Sequence, residues 1–183
     1  GFTSVMMDGS LLPDGKTLLA AGLGSVRVWQ TADWALQSSR MEGPGPIALS
    51  ADGSRLATET RGPFPGPGRG GVRVVDTSTG EEVRRFSNAT GPMAFSADGK
   101  TLATDAEAGI TLWPLDSEGG EVLLQDSTNV FIRGFGSSFG ADRAMVFSPD
   151  GKFVVAARNT LSDRGVFVLS VWDAKSGKEV TVM

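Results

Sequence analysis

The sequence predicts an all-β chain built from four repeated units, each with four antiparallel strands. A strand–turn–strand motif containing an Asp-Gly pair occurs four times. A second strand motif, rich in β-branched and aromatic residues, follows each copy and leads through a polar turn into one more short strand. Turn formers are also abundant, with 25 Gly and 9 Pro among 183 residues. Many short strands joined by tight turns explain this composition better than helices do.

The first motif supplies the first two strands of each unit and the turn between them. Gly adopts positive φ without a steric penalty, and Asp can accept hydrogen bonds from its own backbone, so the Asp-Gly pair suits a hairpin turn. The four copies are LLPDGKTLLA at 11–20, LSADGSRLAT at 49–58, FSADGKTLAT at 95–104 and FSPDGKFVVA at 147–156.

The second motif supplies the third strand of each unit. Its β-branched and aromatic residues favour strands. The four copies are SVRVWQ at 25–30, GVRVVD at 71–76, GITLWP at 109–114 and LSVWDA at 169–174. The closing strands are predicted near 35–39, 83–86, 122–124 and 179–182.

Together these motifs resemble the WD-repeat family over almost the whole chain. The shared features are the S-P-D-G or S-A-D-G turn, the L-A-T strand, the (V/I)-x-(V/L)-W-D strand and the D-x-x-(S/T)-G-K/E turn, with Trp172-Asp173 as the one full dipeptide and the other copies partial. The resemblance implies a β-propeller made of four-stranded antiparallel blades, of which this chain would hold four, half or part of a seven- or eight-bladed ring. The family's Gly-His pair is missing because the chain has no histidine. Its His-Ser-Asp-Trp network therefore cannot form, and we expect packing to hold the blades together.

We predict a single propeller segment over residues 1–183, with blades at about 1–40, 41–87, 88–125 and 126–183. Each blade of a propeller buries its faces against its neighbours, so the end blades need cover. Three arrangements satisfy this need. The chain is a fragment of a longer propeller, two copies join into an eight-bladed ring, or four blades close alone or meet another protein.

Long insertions are concentrated in loops that alternating strand direction places at one edge of the blades. They are 61–71 in blade 2, 158–165 in blade 4, and 126–142 between blades 3 and 4. Arg and aromatic side chains on such loops are typical anchors of protein interfaces. The alternative roles are packing between blades for the phenylalanines and simple solvation for the arginines. The candidate binding residues are Arg61, Phe64, Arg69, Phe131, Arg133, Phe135, Phe139, Arg158 and Arg164.

The composition argues against several classes of function. The absence of Cys and His excludes disulfides, Cys/His zinc sites, and Ser-His-Asp or Cys-His catalysis. The net charge of −4 does not provide the positive field of a nucleic-acid binder, and no apolar run is long enough to span a bilayer. The four Asp-Gly aspartates recur at the same turn, which favours a structural role. We therefore predict no catalytic residue, no metal and no cofactor.

The function predicted from these features is a non-enzymatic scaffold for protein interaction or assembly. Its partner would be another protein, or a second copy of the chain that completes the ring, and neither nucleic acid nor membrane insertion is expected. The rival hypothesis is self-assembly into a homodimeric eight-bladed ring. A small-molecule enzyme with a site near the propeller axis is the remaining alternative, and the lack of histidine argues against it. The compartment stays open, with the cytoplasm favoured.

Overall fold

The described part of the chain consists of strands and turns only. The computed structural model describes residues 6–12, 14–22, 25–41, 47–60, 71–106, 109–117, 120–125, 145–159 and 167–183. These residues contain sixteen strands and no helix. The strands form four four-stranded sheets, and in each sheet hydrogen-bonded neighbours are also neighbours in sequence. The described strand pairs within these sheets are antiparallel. The sheets are called blades 1 to 4 in chain order.

The strand bounds follow the two sequence motifs closely. Blade 1 has β1 (Met6–Leu11), β2 (Thr17–Gly22), β3 (Ser25–Gln30) and β4 (Leu36–Met41), and blade 2 has β5 (Ile47–Leu49), β6 (Arg55–Thr60), β7 (Gly71–Asp76) and β8 (Glu82–Phe86). Blade 3 has β9 (Ala89–Phe95), β10 (Thr101–Ala106), β11 (Gly109–Pro114) and β12 (Val122–Leu123), and blade 4 has β13 (Met145–Phe147), β14 (Phe153–Asn159), β15 (Phe167–Asp173) and β16 (Glu179–Val182).

The chain divides into two compact units, Gly1–Gly91 and Pro92–Met183, and each has its own apolar cluster. Burying one aliphatic side chain is worth about 1.5–3 kcal/mol, so these clusters hold their blades together. The cluster of the first unit joins blades 1 and 2 through Leu19, Val26, Ile47, Leu56 and Val75. The cluster of the second unit joins blades 3 and 4 through Ala94, Ala103, Ile110, Leu112, Leu124, Met145, Val154, Ala156 and Trp172. The single propeller segment with its four blade boundaries stays a prediction.

The Asp-Gly turns are four-residue hairpin loops fixed by a serine that precedes them. In blade 2, Ser50 Oγ donates to Asp52 Oδ1 over 2.6 Å and accepts from the Arg55 N–H over 2.9 Å. Gly53 takes φ +73° and donates its N–H to the Ser50 carbonyl. Blades 3 and 4 repeat the two serine bonds at Ser96 and Ser148. The motif therefore closes a loop in which only Gly needs the left-handed conformation.

Blade 1 departs from this pattern because Leu12 stands where the other blades have serine. Its turn is held instead by Asp14, which accepts from the Lys16 and Thr17 N–H groups and from Thr17 Oγ1 over 2.8–3.0 Å. Leu12 packs against the turn of blade 2, where a Cβ added to Gly53 would lie 1.9 Å from Leu12 Cδ2. The glycine at 53 is thus needed for space as well as for its φ.

A threonine and a tryptophan form a polar pair in blade 3, and blade 2 retains only the threonine. The buried Thr104 accepts a hydrogen bond from Trp113 Nε1 over 2.8 Å. Blade 2 has Val75 in the place of the tryptophan, and valine carries no N–H. Thr58 Oγ1 is fully buried and has no hydrogen-bond partner within the described residues. An unpaired buried hydroxyl is destabilising.

Blade 4 retains only the tryptophan, whose indole bonds to the neighbouring blade. Ala156 stands in the place of the threonine, and Trp172 Nε1 donates to the Gln125 carbonyl, just after β12 of blade 3, over 3.0 Å. The Gln125 N–H in turn donates to the Gly177 carbonyl over 2.8 Å. A Cβ on Gly177 would lie 2.7 Å from the Leu123 carbonyl oxygen, so only glycine allows this approach. The indole therefore links blades 3 and 4 where the histidine network is absent.

Trp34 has a left-handed backbone in a turn where blades 2 and 4 use glycine. Its φ is +57°, and Gly80 and Gly177 at the equivalent positions have φ +75° and +68°. The Trp34 side chain is 66% exposed, so burial does not offset the strain. For an L-residue this conformation costs about 1–2 kcal/mol.

The unpaired hydroxyl predicts opposite effects of the same substitution in two blades. Thr58→Val should raise the free energy of unfolding by about 1 kcal/mol, because it removes a buried polar group without a partner. Thr104→Val should lower it by about 1–3 kcal/mol, because the Trp113 indole loses its acceptor. Urea denaturation with unchanged m-values measures both. Equal destabilisation by the two substitutions would show that the Thr58 hydroxyl is satisfied.

The strained turn of blade 1 predicts a stabilising substitution. Trp34→Gly should raise the free energy of unfolding by up to about 1 kcal/mol, because relief of the left-handed strain exceeds the entropy that glycine adds to the unfolded chain. The matched control is Gly80→Ala, which should lower stability at the equivalent turn of blade 2. Thermal denaturation checks the signs, and a loss of stability in both variants contradicts the prediction.

Candidate functional site

The binding residues predicted from the sequence, apart from Arg158, lie outside the described residues. Arg158 is on β14, where its backbone pairs with Val168 on β15. The grouping of all the predicted binding residues into one surface stays a prediction. The residues outside the described part are Arg61, Phe64, Arg69, Phe131, Arg133, Phe135, Phe139 and Arg164.

The described strands do fix where these loops attach. In blade 2 the β6–β7 ladder ends at the pair Thr60–Gly71, and in blade 4 the β14–β15 ladder ends at Asn159–Phe167. Segments 61–70 and 160–166 therefore leave their blades at the ends of the second strands, which we call the loop edge. The Asp-Gly turns lie at the other ends of the same strands, which we call the turn edge.

The base of the blade 2 insertion is closed by a threonine–glycine pair. Thr60 Oγ1 donates to the Gly71 carbonyl and accepts from the Gly71 N–H, each over 3.0 Å. Gly71 is buried, and a Cβ there would lie 2.6 Å from the Phe86 carbonyl oxygen. Such a contact is too short for any side chain, so Gly71 packs directly on the outer strand of its blade. Segment 61–70 thus starts and ends on rigid backbone.

Glu59 places a perturbed carboxyl group beside this base. Burial raises the pKa of Glu59 above its ordinary value, and a hydrogen bond from the Gly91 backbone N–H offsets part of the effect. Sequence reasoning missed Glu59, because an acidic residue near the end of the strand RLATET has the pattern of a solvated position. The only signal in the sequence was that Glu59 lies next to segment 61–71, the longest insertion between the second and third strands of a blade.

The turn edge is held by hydrogen bonds between the two turns of each blade. In blade 2 the Thr77 N–H donates to the Ser54 carbonyl over 2.9 Å, and Thr77 Oγ1 donates to the Gly53 carbonyl over 2.6 Å. Blade 1 repeats both bonds from Thr31, and blades 3 and 4 keep the backbone bond from Leu115 and Ala174. These contacts make the turn edge a rigid foundation for the blade.

The aspartates of the turn edge are ionised, hydrogen-bonded turn formers. The Ser78 hydroxyl and the neighbouring backbone N–H groups hold the pKa of Asp76 at about 2. The Ser148 hydroxyl and the Lys152 N–H hold the pKa of Asp150 at about 2. Hydroxyl and backbone donors also lower the pKa of Asp52, Asp98 and Asp173. Carboxylates committed to local donors in this way stabilise the turns and are poorly suited to acid–base chemistry.

A cleft of about 360 Å³ lies on the turn edge between blades 3 and 4. Its walls include Ser96, Asp98, Phe147, Asp150 and Lys175. The serine hydroxyl and both carboxylates are engaged within their own turns, so the cleft offers no activated nucleophile.

Two further features of the described residues bear on function. Within them, no group of three or more His, Cys, Asp and Glu side chains could hold a metal ion. The same residues include no helix that is long and apolar enough to cross a membrane.

Comparison with solved structures identifies the architecture of the four sheets. Hydrazine synthase of Kuenenia stuttgartiensis is 20% identical with a TM-score of 0.67, over 97% of this chain and 48% of that chain. The Cps50 (Swd1) β-propeller domain of Myceliophteria thermophila is 14% identical with a TM-score of 0.66, over 100% and 56%. The sheets are β-propeller blades. The predicted all-β propeller fold with four four-stranded blades is therefore confirmed.

A third similar structure is the complex of KlAtg21 with the coiled-coil of AgAtg16. The chain is 17% identical to it with a TM-score of 0.66, over 99% of this chain and 56% of that chain. At these identities the likeness shows the fold alone. The chain spans about half the length of the solved structures it matches. Comparison with protein-family models and with curated proteins finds no match.

The turn aspartates predict a loss of stability in acid. Because the folded pKa of Asp150 is about 2 and its ordinary value is 3.8, its stabilising effect is complete above the ordinary value and is lost as the pH falls towards 2. Asp150→Asn should therefore lower the melting temperature at pH 7, and the gap to the wild type should close in acid. Thermal denaturation at several pH values measures this gap.

Replacing Glu59 should change the melting temperature in the opposite direction to replacing Asp150. The raised pKa of Glu59 means that the ionised form destabilises the fold above that pKa, and that this penalty disappears as the pH falls below the ordinary value of 4.5. Glu59→Gln should raise the melting temperature at pH 7, with the gap closing in acid. A destabilised Glu59→Gln protein at pH 7 would show that the carboxylate form is favoured.

Proposed function

We propose that the chain is a protein-interaction scaffold whose loop edge binds partner proteins. The supporting observation is the rigid base at this edge, where the Thr60–Gly71 pair closes the ladder beneath segment 61–70. A scaffold works by holding adaptable loops on a framework that does not move. The candidate anchors are the arginines and phenylalanines of the insertions, since these side chains contribute most to binding energy at protein interfaces.

Three insertions converge on this edge in the proposal. Blade 2 contributes Arg61, Phe64 and Arg69, and blade 4 contributes Arg158 and Arg164. The connection between blades 3 and 4 contributes Phe131, Arg133, Phe135 and Phe139. The known KlAtg21 structure, a protein of similar fold in complex with a coiled coil, supports a protein as the partner.

A binding role also fits the chemistry of the chain better than catalysis does. One similar structure is a hydrazine synthase, so the fold by itself does not separate enzymes from scaffolds. The sequence, however, has neither histidine nor cysteine. The turn-edge carboxylates are committed to local hydrogen bonds. We infer that the chain is a non-enzymatic scaffold. From its motifs we also infer that it is a degenerate WD-repeat protein.

We further propose that the four blades act within a larger ring. The solved structures of similar fold are about twice as long as this chain, which supports additional blades. These blades would come from further parts of a longer chain, from another protein or from a second copy of the chain. In each case we expect the loop edge of the four blades to remain available to partners.

Replacing loop-edge anchors tests the proposed function. In the variant Arg61→Ala/Phe64→Ala/Arg69→Ala/Arg133→Ala, capture of partner proteins from an extract of the native host should fall at least about tenfold, as expected when central anchors are truncated. Quantitative mass spectrometry of the captured proteins measures the effect, with the purified full chain as bait.

The matched control carries four substitutions at the turn edge, Lys16→Ala/Lys100→Ala/Lys152→Ala/Lys175→Ala. It should retain capture, and both variants should keep the wild-type melting temperature. Unchanged capture by the loop-edge variant, or equal loss in the two variants, would exclude the loop edge as the binding surface.

A further inference from the structure

A leucine at the turn edge of the first unit fills the gap between blades 1 and 2. Leu12 comes two residues before the turn aspartate of blade 1, and its side chain is half-buried. It lies directly against Gly53 in the turn of blade 2, where an added Cβ would be 1.9 Å from Leu12 Cδ2. Together with Val28 and Leu49, Leu12 packs against the apolar cluster of the first unit. One side chain of the chain itself therefore occupies this gap.

The cleft of about 360 Å³ between blades 3 and 4 is the equivalent gap without the leucine. Ser96 stands in the place of Leu12, and Gly151 stands in the place of Gly53. Both Ser96 and Gly151 line the cleft, whose volume is within the range of ligand pockets. A Cβ added to Gly151 would have no atom of the described residues within 4 Å. The second unit thus leaves open the space that a branched aliphatic group fills in the first.

The floor of the cleft keeps the apolar character of the site that holds Leu12. Leu112 takes the place of Val28, and Phe147 takes the place of Leu49. Leu112 is 2% exposed, and Phe147 packs against the apolar cluster of the second unit, so the core of that unit fixes the floor. Burial of a leucine side chain on such a floor strengthens binding by about tenfold or more.

The rim of the cleft carries more negative than positive charge. Asp98, Asp150 and Lys175 line it, so two carboxylates lie beside one ammonium group. Asp150 is already paired with Lys152 over 3.1 Å. Asp98 uses Oδ1 for two donors of its own turn, and its Oδ2 accepts no hydrogen bond from the described residues. The same donors lower the pKa of Asp98, so an ionised oxygen is available to a cation beside the apolar floor.

We propose that this cleft binds a leucine side chain of a partner peptide, and that an adjacent arginine or lysine of the peptide pairs with Asp98. The occupant is a peptide leucine because blade 1 places a leucine in the equivalent gap. Its neighbour is a cation because the rim is anionic. All the walls belong to the unit Pro92–Met183, so this site depends on neither the first unit nor any further blade. It is also separate from the loop edge.

NMR titration of the isotope-labelled full chain with short peptides tests the proposal. The probe acetyl-Gly-Leu-Arg-Gly-amide should shift the backbone amide signals of Ser96, Asp98 and Gly151 in a saturable way. A peptide with alanine in place of the leucine should bind at least about tenfold more weakly, because the aliphatic burial is lost. A peptide with glutamate in place of the arginine should bind about fivefold more weakly, because it brings a carboxylate beside Asp98.

Filling the cleft from within is the matching change in the protein. Ser96→Leu should weaken binding of the probe at least about tenfold, because the new side chain takes the space as Leu12 does. The turn accommodates leucine, since the Leu12 N–H donates to the Thr17 carbonyl over 2.9 Å just as the Ser96 N–H donates to the Thr101 carbonyl. The control is Ser50→Leu, which removes the same serine bonds from blade 2 and should bind the probe like the wild type.

The peptide series on the wild type decides the proposal even if Ser96→Leu does not fold. Absence of saturable shifts at the three amides at every soluble peptide concentration would overturn it, and so would equal affinity for the leucine and alanine peptides. Equal affinity for the arginine and glutamate peptides would overturn the pairing with Asp98. The loop-edge variant should bind the probe unchanged, so this test and the capture of partner proteins succeed or fail separately.

Discussion

Apolar packing between neighbouring sheets is the interaction on which the rest of this structure depends. The described part of the chain has no helix to cover a sheet, and the sequence has no cysteine for a covalent link. Within each unit the two sheets instead cover each other, through Leu56 and Val75 in the first unit and through Val154 and Trp172 in the second. Burial of such side chains provides most of the stability of a repeat architecture, and it also makes every outer face a candidate contact.

Polar interactions fix geometry locally within this apolar framework. The hydroxyls of Ser50, Ser96 and Ser148 shape the Asp-Gly loops, and threonines tie the two turns of a blade to each other in blades 1 and 2. Hydrogen bonds of this kind are worth about 1 kcal/mol each, so they specify the turn edge more than they stabilise the chain.

The sequence predicted the elements that have a local cause. Each Asp-Gly turn and each β-branched strand lies where its motif placed it, because turn chemistry and strand preference act over a few residues. The unpaired Thr58 and the bond from Trp172 to Gln125 were not predicted, since they depend on which side chain faces which across a sheet or between blades. The raised pKa of Glu59 likewise results from burial, which no local sequence pattern indicates.

The Thr–Trp pair, complete in blade 3 only, has a consequence for how neighbouring blades are coupled. Blade 3 keeps both partners, blade 2 keeps only Thr58, and blade 4 keeps only Trp172. In blade 4 the indole donates instead to a main-chain carbonyl of the neighbouring blade. That acceptor belongs to the backbone of Gln125, so no side-chain substitution there can delete it, and the bond makes blades 3 and 4 stabilise each other.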